Sequence, residues 1–182
     1  MHASAPVVET ERLLLRPHTR ADFEPSVAMW SDPAVVRYIT GTPSTAQTTW
    51  FRLLRYAGLW PVLGYGYWAI EDKQTRTFIG EAGLADFRRE IKPSIAGEPE
   101  IGWVLAAHAH GRGIATEAVR AVLAWADEHL PASRVVGIVS PDNRQSLRIA
   151  LKNSFVQYAE AAMSGQPVVM FERARRHSYR AG

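Results

Sequence analysis

One stretch constrains this fold more than any other: residues 103–118 begin as an apolar segment, turn through Gly111-Arg112-Gly113 and continue into a long amphipathic pattern. The succession predicts a strand, a glycine turn and a helix. Glycine lets the backbone approach a ligand closely, and the first N–H groups of a helix have no partner within it. The turn is therefore a candidate anion site. A helix start that binds nothing is the alternative that these residues leave open.

The turn by itself completes neither of the two common nucleotide-binding motifs. A dinucleotide fingerprint would need a third glycine at position 116, which is Thr116. The Gly-Lys-Ser/Thr sequence of a phosphate loop is also absent. The sequence on either side of the turn is therefore needed to distinguish an anion site from a helix start that binds nothing.

The rest of the chain alternates between strand and helix patterns, and it predicts about seven strands and four helices. The predicted strands are 11–17, 64–70, 77–84, 98–106, 134–139, 155–160 and 166–172. The predicted helices begin near Thr19 or Asp22, with a second start at Ser31-Asp32-Pro33, near Ser44 or Thr45, and at 113–130 and 143–152. Because antiparallel strands precede a strand–helix–strand crossover, we expect a mixed α/β (α+β) fold: one mostly antiparallel sheet with helices on both faces.

Length and composition indicate one globular domain with a basic C-terminal tail at 174–182. The chain has 182 residues and no cysteine, which excludes disulfides, thiolate metal ligands and a cysteine nucleophile. A net charge of +3 is too small to favour a nucleic-acid partner. The N-terminus lacks the pattern of a signal peptide, so we expect no membrane association and a cytoplasmic location.

Three motifs in the right order resemble the GNAT superfamily of acetyl-CoA-dependent N-acetyltransferases. They are Glu100–Leu105, His110–Ala118, and Asn143-x-x-Ser146-x-Arg148-x-x-x-Lys152-x-x-Phe155. The opening 9–17 resembles the branch that contains the ribosomal-protein N-terminal acetyltransferases (RimJ/RimL-like). The resemblance covers about residues 8–173. Two positions depart from the family pattern: His110 replaces the usual Arg or Gln, and Ser154 replaces the glycine before Phe155.

The resemblance implies acetyl-CoA as co-substrate and no metal. Backbone N–H groups from Gly111 to Ala115 would hold the pyrophosphate, and Arg112 would either pair with a CoA phosphate or remain a solvated cation. An N–H of Val104 or Leu105 would take the acetyl oxygen, while Asn143 would contact the pantetheine arm, cap a helix, or do both. The expected cofactor-binding residues are Trp103, Val104, Leu105, His110, Gly111, Arg112, Gly113, Ile114, Ala115, Thr116, Asn143 and Ser146.

Acetyl transfer to an amine needs a base for the amine proton and an acid for the departing thiolate. Glu100 is the candidate base, with a strand-end salt bridge as the alternative, and Glu81 and Asp86 are weaker candidates. Ser146 is the candidate acid, because the position at which many relatives carry tyrosine is Ala150 here.

The acceptor groove of the family would be partly walled by aromatic residues, and the loop 88–92 would either form a charge-selective rim or be solvated. The predicted acceptor-binding residues are Trp50, Trp60, Tyr65, Trp68 and Glu100, with Tyr67 in the same stretch. The acceptor could be a protein N-terminus or a small amine such as an amino acid, polyamine or antibiotic. A non-catalytic acyl-CoA-binding module is the rival interpretation. The sequence does not give the oligomeric state; relatives are often dimers, and the segment 166–171 could contribute to a homodimer interface.

Overall fold

The protein, described here over residues 4–175 by a computed structural model, forms one mixed sheet flanked by helices. The strands are β1 (Val8–Glu9), β2 (Leu13–Arg16), β3 (Tyr67–Asp72), β4 (Thr77–Ala85), β5 (Glu100–Leu105), β6 (Arg134–Val139), β7 (Val156–Met163) and β8 (Gln166–Ala174). The helices are α1 (Phe23–Ser31), α2 (Pro33–Val36), α3 (Ala46–Leu63), α4 (Ile114–His129) and α5 (Arg144–Lys152), with 3-10 turns at Arg20–Asp22 and Ala107–Ala109. The expected mixed fold is confirmed. Most of the predicted basic tail, residues 176–182, lies outside the described part.

The sheet has eight strands rather than about seven, in the order β1-β2-β3-β4-β5-β6-β8-β7. The additional strand is β1, two residues long, which pairs with β2 at the edge of the sheet. Two residues are too short to give an alternating pattern, so the sequence did not reveal this strand. The segment 166–171, expected at an interface, lies in β8, which is paired on both sides by β6 and β7.

Local signals in the sequence explain where the helices begin and end. The side chains of Asp32, Thr45 and Asn143 accept hydrogen bonds from the first turns of α2, α3 and α5. Ser154, which replaces the usual glycine after α5, adopts a left-handed φ of 66°. The predicted boundaries are therefore nearly correct wherever a capping side chain marks them.

A crevice opens in the middle of the sheet between β5 and β6. These two strands are the parallel pair, and they are in register only at Glu100–Val136 and Ile101–Gly137. Beyond these pairs, toward the carboxyl ends of both strands, β5 pairs with no strand of the described residues on its β6 side. Ligands of α/β sheets commonly bind outside the carboxyl ends of such diverging strands.

The two faces of the sheet are covered by different helices. On one face, Ile101 and Leu105 pack with the apolar side of α4. On the opposite face, Val104 packs with Met29 and Trp30 of α1. We refer to these as the α4 face and the α1–α3 face.

Candidate active site

The glycine turn after β5 presents a run of unbonded backbone donors. Gly111 and Gly113 have φ values of 73° and 76°, a left-handed conformation that glycine adopts without strain. Among the described residues, no acceptor is bonded to the N–H groups from Gly111 to Thr116, and the first helical bond is from Glu117 N to Gly113 O at 3.2 Å. Together with the positive end of the α4 dipole, these donors form an anion-binding concavity.

The N-terminal segment clamps this turn from the side. Glu117 of α4 accepts hydrogen bonds from the Thr10 hydroxyl at 2.6 Å and from the Arg12 backbone and side chain at 2.9 Å and 2.7 Å. The Arg12 guanidinium also donates to the carbonyl of Arg112 at 2.8 Å. Because the C=O and N–H of a trans peptide point in opposite directions, this bond aims the N–H of Gly113 away from Arg12.

This clamp is a feature that the sequence analysis missed. Burial acts to raise the pKa of Glu117, but hydrogen bonds from Thr10 and Arg12 lower it below its usual value. The carboxylate therefore stays ionised and keeps its hold on both residues. The partners are more than 100 residues apart in the chain, so no spacing rule could connect them.

Two side chains of the turn contact residues outside it. The Nε2 atom of His110 lies 2.9 Å from the carbonyl oxygen of Leu105, which ties the turn to the end of β5. Arg112 lies 3.7 Å from Asp72, a contact that is half exposed on the arginine side. The donors of the turn are thus backbone groups, and these two side chains brace it.

Along β5, the backbone N–H groups point alternately toward β4 and toward the crevice. Ala106 donates to Ile79 of β4 at 3.0 Å, and its alternate neighbour Val104 is paired with Glu81 of that strand. Because strand residues alternate, Trp103 and Leu105 direct their N–H groups toward the crevice. The expectation that Val104 N–H takes an acetyl oxygen is therefore wrong, and Leu105 remains available.

Across the crevice, α5 begins directly after β6. Asn143 Oδ1 accepts a hydrogen bond from Ser146 N at 3.1 Å, which confirms the capping interpretation of this asparagine. The amide nitrogen of Asn143 and the hydroxyl of Ser146 have no bonded partner within residues 4–175. Both groups are partly exposed at the first turn of α5.

On the α1–α3 face, Glu81 is the buried carboxylate closest in register to the end of β5. It is opposite Val104 and accepts hydrogen bonds from Trp30 Nε1 at 3.1 Å and Ser26 Oγ at 3.3 Å. Its exposure is only 2%. Burial raises the pKa of Glu81 to about 7, against the hydrogen bonds that lower it. A carboxyl group tuned in this way is suited to proton transfer.

Glu100, by contrast, is held in a two-pronged ion pair with Arg89, at 2.5 Å and 2.8 Å. The strand-end salt bridge, the alternative considered for this residue, is therefore the observed arrangement. Asp86 accepts hydrogen bonds from the backbone of Arg88 and Gly97 and pairs with the Arg88 side chain. Both arginines of the predicted charge-selective rim thus already have carboxylate partners.

Tyr67 reaches across the sheet to the base of the crevice. Its ring lies over Gly83 and Gly102: an added Cβ would clash with the Tyr67 backbone and ring carbon Cγ at Gly83, and with the hydroxyl oxygen at Gly102. The ring also stacks on Tyr56 with centroids 4.3 Å apart. Burial raises the pKa of Tyr67 well above its usual value, so its hydroxyl remains a neutral donor. Glycines at both positions are what allow the hydroxyl to reach β5.

The aromatic residues predicted to contact the acceptor divide into two groups. Trp60 and Trp68 are 1% and 0% exposed and pack edge-to-face against each other in the core, as each does against Trp125. Their burial conflicts with an acceptor role, and we assign both to the core. Trp50, which contacts Phe23, and Tyr65 are partly exposed.

Within residues 4–175 no helix is both long and apolar enough to cross a membrane. In the same part of the chain, no group of three or more His, Asp or Glu side chains is placed to ligate a metal ion.

Comparison with known proteins identifies the family. The Acetyltransferase (GNAT) domain matches residues 12–156, and the chain belongs to this family. It is 29% identical to the N-acetyltransferase YoaA of Bacillus subtilis, itself named uncharacterized, over 82% of each chain. It is accordingly an acetyl-CoA-dependent acyltransferase.

Solved structures agree with the family. A protein from Bordetella pertussis assigned to the GnaT acetyltransferases is 33% identical, with a TM-score of 0.82 over 93% of this chain and 100% of that one. A ribosomal-protein-S5-alanine acetyltransferase from Vibrio fischeri (19%, TM-score 0.71, 94% and 97% covered) shares the fold. A spermidine N-acetyltransferase from Vibrio cholerae, solved with CoA and spermine, also shares the fold. It is 16% identical, with a TM-score of 0.71 over 91% of this chain and 97% of that one. The RimJ/RimL-like branch is thus one of several structural neighbours.

Proposed function

We propose that this protein transfers an acetyl group from the CoA thioester directly to a primary amine, with both substrates bound together. The observation that carries the proposal is the position of the unbonded N–H groups at 111–116 beside the crevice between β5 and β6. The turn fits a pyrophosphate, and the free edge of β5 fits the amide-bearing pantetheine arm. Trp103 and Leu105 would pair with that arm, and Asn143 would donate its free amide nitrogen to it.

The remaining cofactor contacts follow from the same placement. The N–H groups of Gly111, Arg112, Gly113, Ile114, Ala115 and Thr116 would surround the pyrophosphate, with His110 bracing the turn. Arg112 is half exposed and would reach a CoA phosphate only by leaving Asp72. The backbone is therefore the main source of affinity in this proposal.

Bound acetyl-CoA supplies a thioester carbonyl that an amine can attack. We assign the base to Glu81 rather than Glu100, because Glu81 has the raised pKa while Glu100 is paired with Arg89. Because Glu81 is almost fully buried, it would take the amine proton through water rather than directly, as the new C–N bond forms and the C–S bond breaks. The hydroxyl of Ser146 gives its proton to the departing thiolate and is reprotonated from solvent.

The acceptor-binding surface of this proposal is the α1–α3 face beside Glu81. Partly exposed Trp50 would form its outer wall, and the Tyr67 hydroxyl would lie at its floor. Tyr65 packs against the core cluster on the α4 face, so it is not part of this surface. The structural neighbours named above act on a ribosomal protein and on spermidine, so both a protein N-terminus and a small amine are acceptors to test.

The proposal is tested by calorimetric binding of CoA together with acetyl-CoA thiol release over peptides, polyamines, amino acids and aminoglycosides. We expect CoA binding and thiol release with at least one amine class. Binding without thiol release from any amine would instead favour a non-catalytic module. Ser146→Ala should lower kcat at saturating acetyl-CoA while CoA affinity is kept, and full turnover would remove Ser146 from the mechanism.

A further inference from the structure

The α1–α3 face contains a partly buried guanidinium that forms no direct ion pair. Arg16 pairs with Asp22 and Glu71, and Arg89 pairs with Glu100. Arg52 of α3 differs: its two terminal nitrogens each lie 3.5 Å from the hydroxyl of Ser44, and no carboxylate within residues 4–175 lies within ion-pair distance of it. Arg55 of the same helix also lacks an ion pair in this part of the chain, but it is exposed, so partial burial sets Arg52 apart.

The position of Arg52 is fixed by an aromatic platform. Its guanidinium carbon lies 3.6 Å from the ring centroid of Trp30, a close cation–π contact. The same indole donates its N–H to Glu81 from the edge of the ring. Arg52 and Glu81, which carry opposite charges when ionised, therefore contact one indole, the first at its face and the second at its edge.

The environment of Arg52 is partly dehydrated but still open. Burial lowers the pKa of Arg52, although the guanidinium remains charged, and the residue is partly exposed to solvent. The charge of Glu81 offsets part of this lowering, but no carboxylate within the described residues is in direct contact with the guanidinium. A cation that has lost part of its water without a direct ion-pair partner binds an anion more favourably than a fully solvated one does. A ligand on this face can reach it.

We propose that the acceptor is an amine that carries an anionic oxygen group, with Arg52 binding that group while the amine lies toward Glu81. The proposal rests on the acetyl transfer proposed above and names its substrate class. A carboxylate and a phosphonate share the required chemistry, since both present oxygens that a guanidinium fork can bind. Free amino acids fit this description, whereas spermidine and neutral peptide N-termini do not.

The test compares acceptors that share one side chain and differ in the group on the carbon that bears the amine. The wild-type protein is given phenylalanine, phenylalaninamide, 2-phenylethylamine and the aminophosphonate analogue of phenylalanine, followed by the methionine series, with acetyl-CoA saturating. We expect kcat/KM about tenfold or more higher for the acid than for its amide, as for a hydrogen bond to a charged group. A further difference between the carboxylate and the phosphonate would identify which anion the site prefers.

Variants of α3 test whether Arg52 causes the preference for the acid over the amide. Arg52→Gln should bring the acid-to-amide ratio close to one, and Arg52→Lys should restore it in part. Arg55→Gln is the matched control: Arg55 lies one turn further along α3, contacts the aromatic rings of Tyr56 and Phe87, and is exposed. It should keep the wild-type ratio. Unchanged CoA affinity in all three variants shows that each is folded.

Two results would overturn the proposal. One is equal or better turnover of the amide, spermidine or a neutral peptide by the wild type. The other is an acid-to-amide ratio that survives in Arg52→Gln. If CoA binds and no amine is acetylated, the proposed acetyl transfer fails separately. In that case, the affinities of the CoA-loaded protein for the same acid and amide are measured by calorimetry. Equal affinities would contradict the proposal that Arg52 binds the anionic group.

Discussion

The α4 face and the α1–α3 face of the sheet provide chemistry by different means. On the α4 face the donors are backbone groups of one continuous turn, 111–116, and nearby side chains only hold that turn in place. On the α1–α3 face the groups are side chains of Glu81, Tyr67 and Arg52, which come from β4, β3 and α3. Substitutions on the first face should therefore change the KM for acetyl-CoA through geometry. Those on the second should change kcat or acceptor selectivity.

The largest effect is expected at Glu81. Glu81→Gln removes the proposed base, so kcat should fall by about a hundredfold or more, within the usual range for a general base. A base must be deprotonated to act, so wild-type activity should decline as the pH falls below about 7, the pKa of Glu81. That limb of the pH–rate profile should be missing in the variant, while CoA affinity stays at its wild-type value.

Glu100→Gln is the matched comparison for Glu81→Gln, because Glu100 and Glu81 belong to neighbouring strands and lie on the same face of the sheet. It should keep the limb near pH 7 and mainly lose stability, because it leaves Arg89 without its ion pair. If the limb disappears in Glu100→Gln and persists in Glu81→Gln, the base has been assigned to the wrong residue.

The next effect is expected at the clamp on the α4 face. Glu117→Gln weakens its charged hydrogen bonds to Thr10 and Arg12, so the turn loses part of its support. We expect the KM for acetyl-CoA to rise about tenfold with little change in kcat, which corresponds to loss of a charge-assisted bond. Glu128→Gln, on the same helix and exposed, should leave both constants unchanged. A fall in kcat at constant KM would contradict the division between the faces.

Tyr67→Phe should have a smaller effect that falls on kcat. The ring stays in place on Tyr56 and only the hydroxyl over Gly102 is lost. Removing one neutral hydrogen bond predicts a loss of about three- to tenfold in steady-state turnover. Wild-type kcat in this variant would show that the hydroxyl serves packing alone.

The smallest effect is expected at Arg112, although this residue lies in the middle of the cofactor turn. Its side chain is half exposed, and its one ion-pair contact within residues 4–175 is with Asp72, at 3.7 Å. Arg112→Ala should therefore change the KM for acetyl-CoA by less than about threefold, as for an exposed ion pair. A change of thirtyfold, measured by the same thiol-release assay, would show that a side chain rather than the backbone dominates phosphate binding.

The same contrast explains which parts of the site the sequence could predict. The turn 111–113, its helix and the cap at Asn143 are contiguous segments, and local residue types specify them. The clamp of Glu117 on Arg12 and the platform of Trp30 under Arg52 join distant segments through tertiary contacts that no spacing encodes. Trp60 and Trp68 were misassigned because an aromatic-rich stretch has the same composition whether its rings line a groove or fill a core.

Glu100 shows a second limit of prediction from the sequence. Its place on β5 was correctly predicted, but the availability of a carboxylate depends on its neighbour, and Arg89 lies in an irregular loop. Glu81 had the weaker sequence signal, and its raised pKa follows from burial that only the packed structure reveals. Position could be inferred from the sequence, while protonation behaviour required the three-dimensional environment.

The narrow junction between β5 and β6 also has a mechanical consequence. With only two residue pairs joining them, strands β1–β5 and strands β6–β8 form two plates connected by a short hinge. A small rotation about that hinge widens or narrows the crevice without breaking the ladders inside either plate. A molecule lying along the free edge of β5 would bridge the two plates, so we expect its binding to restrict their relative tilt.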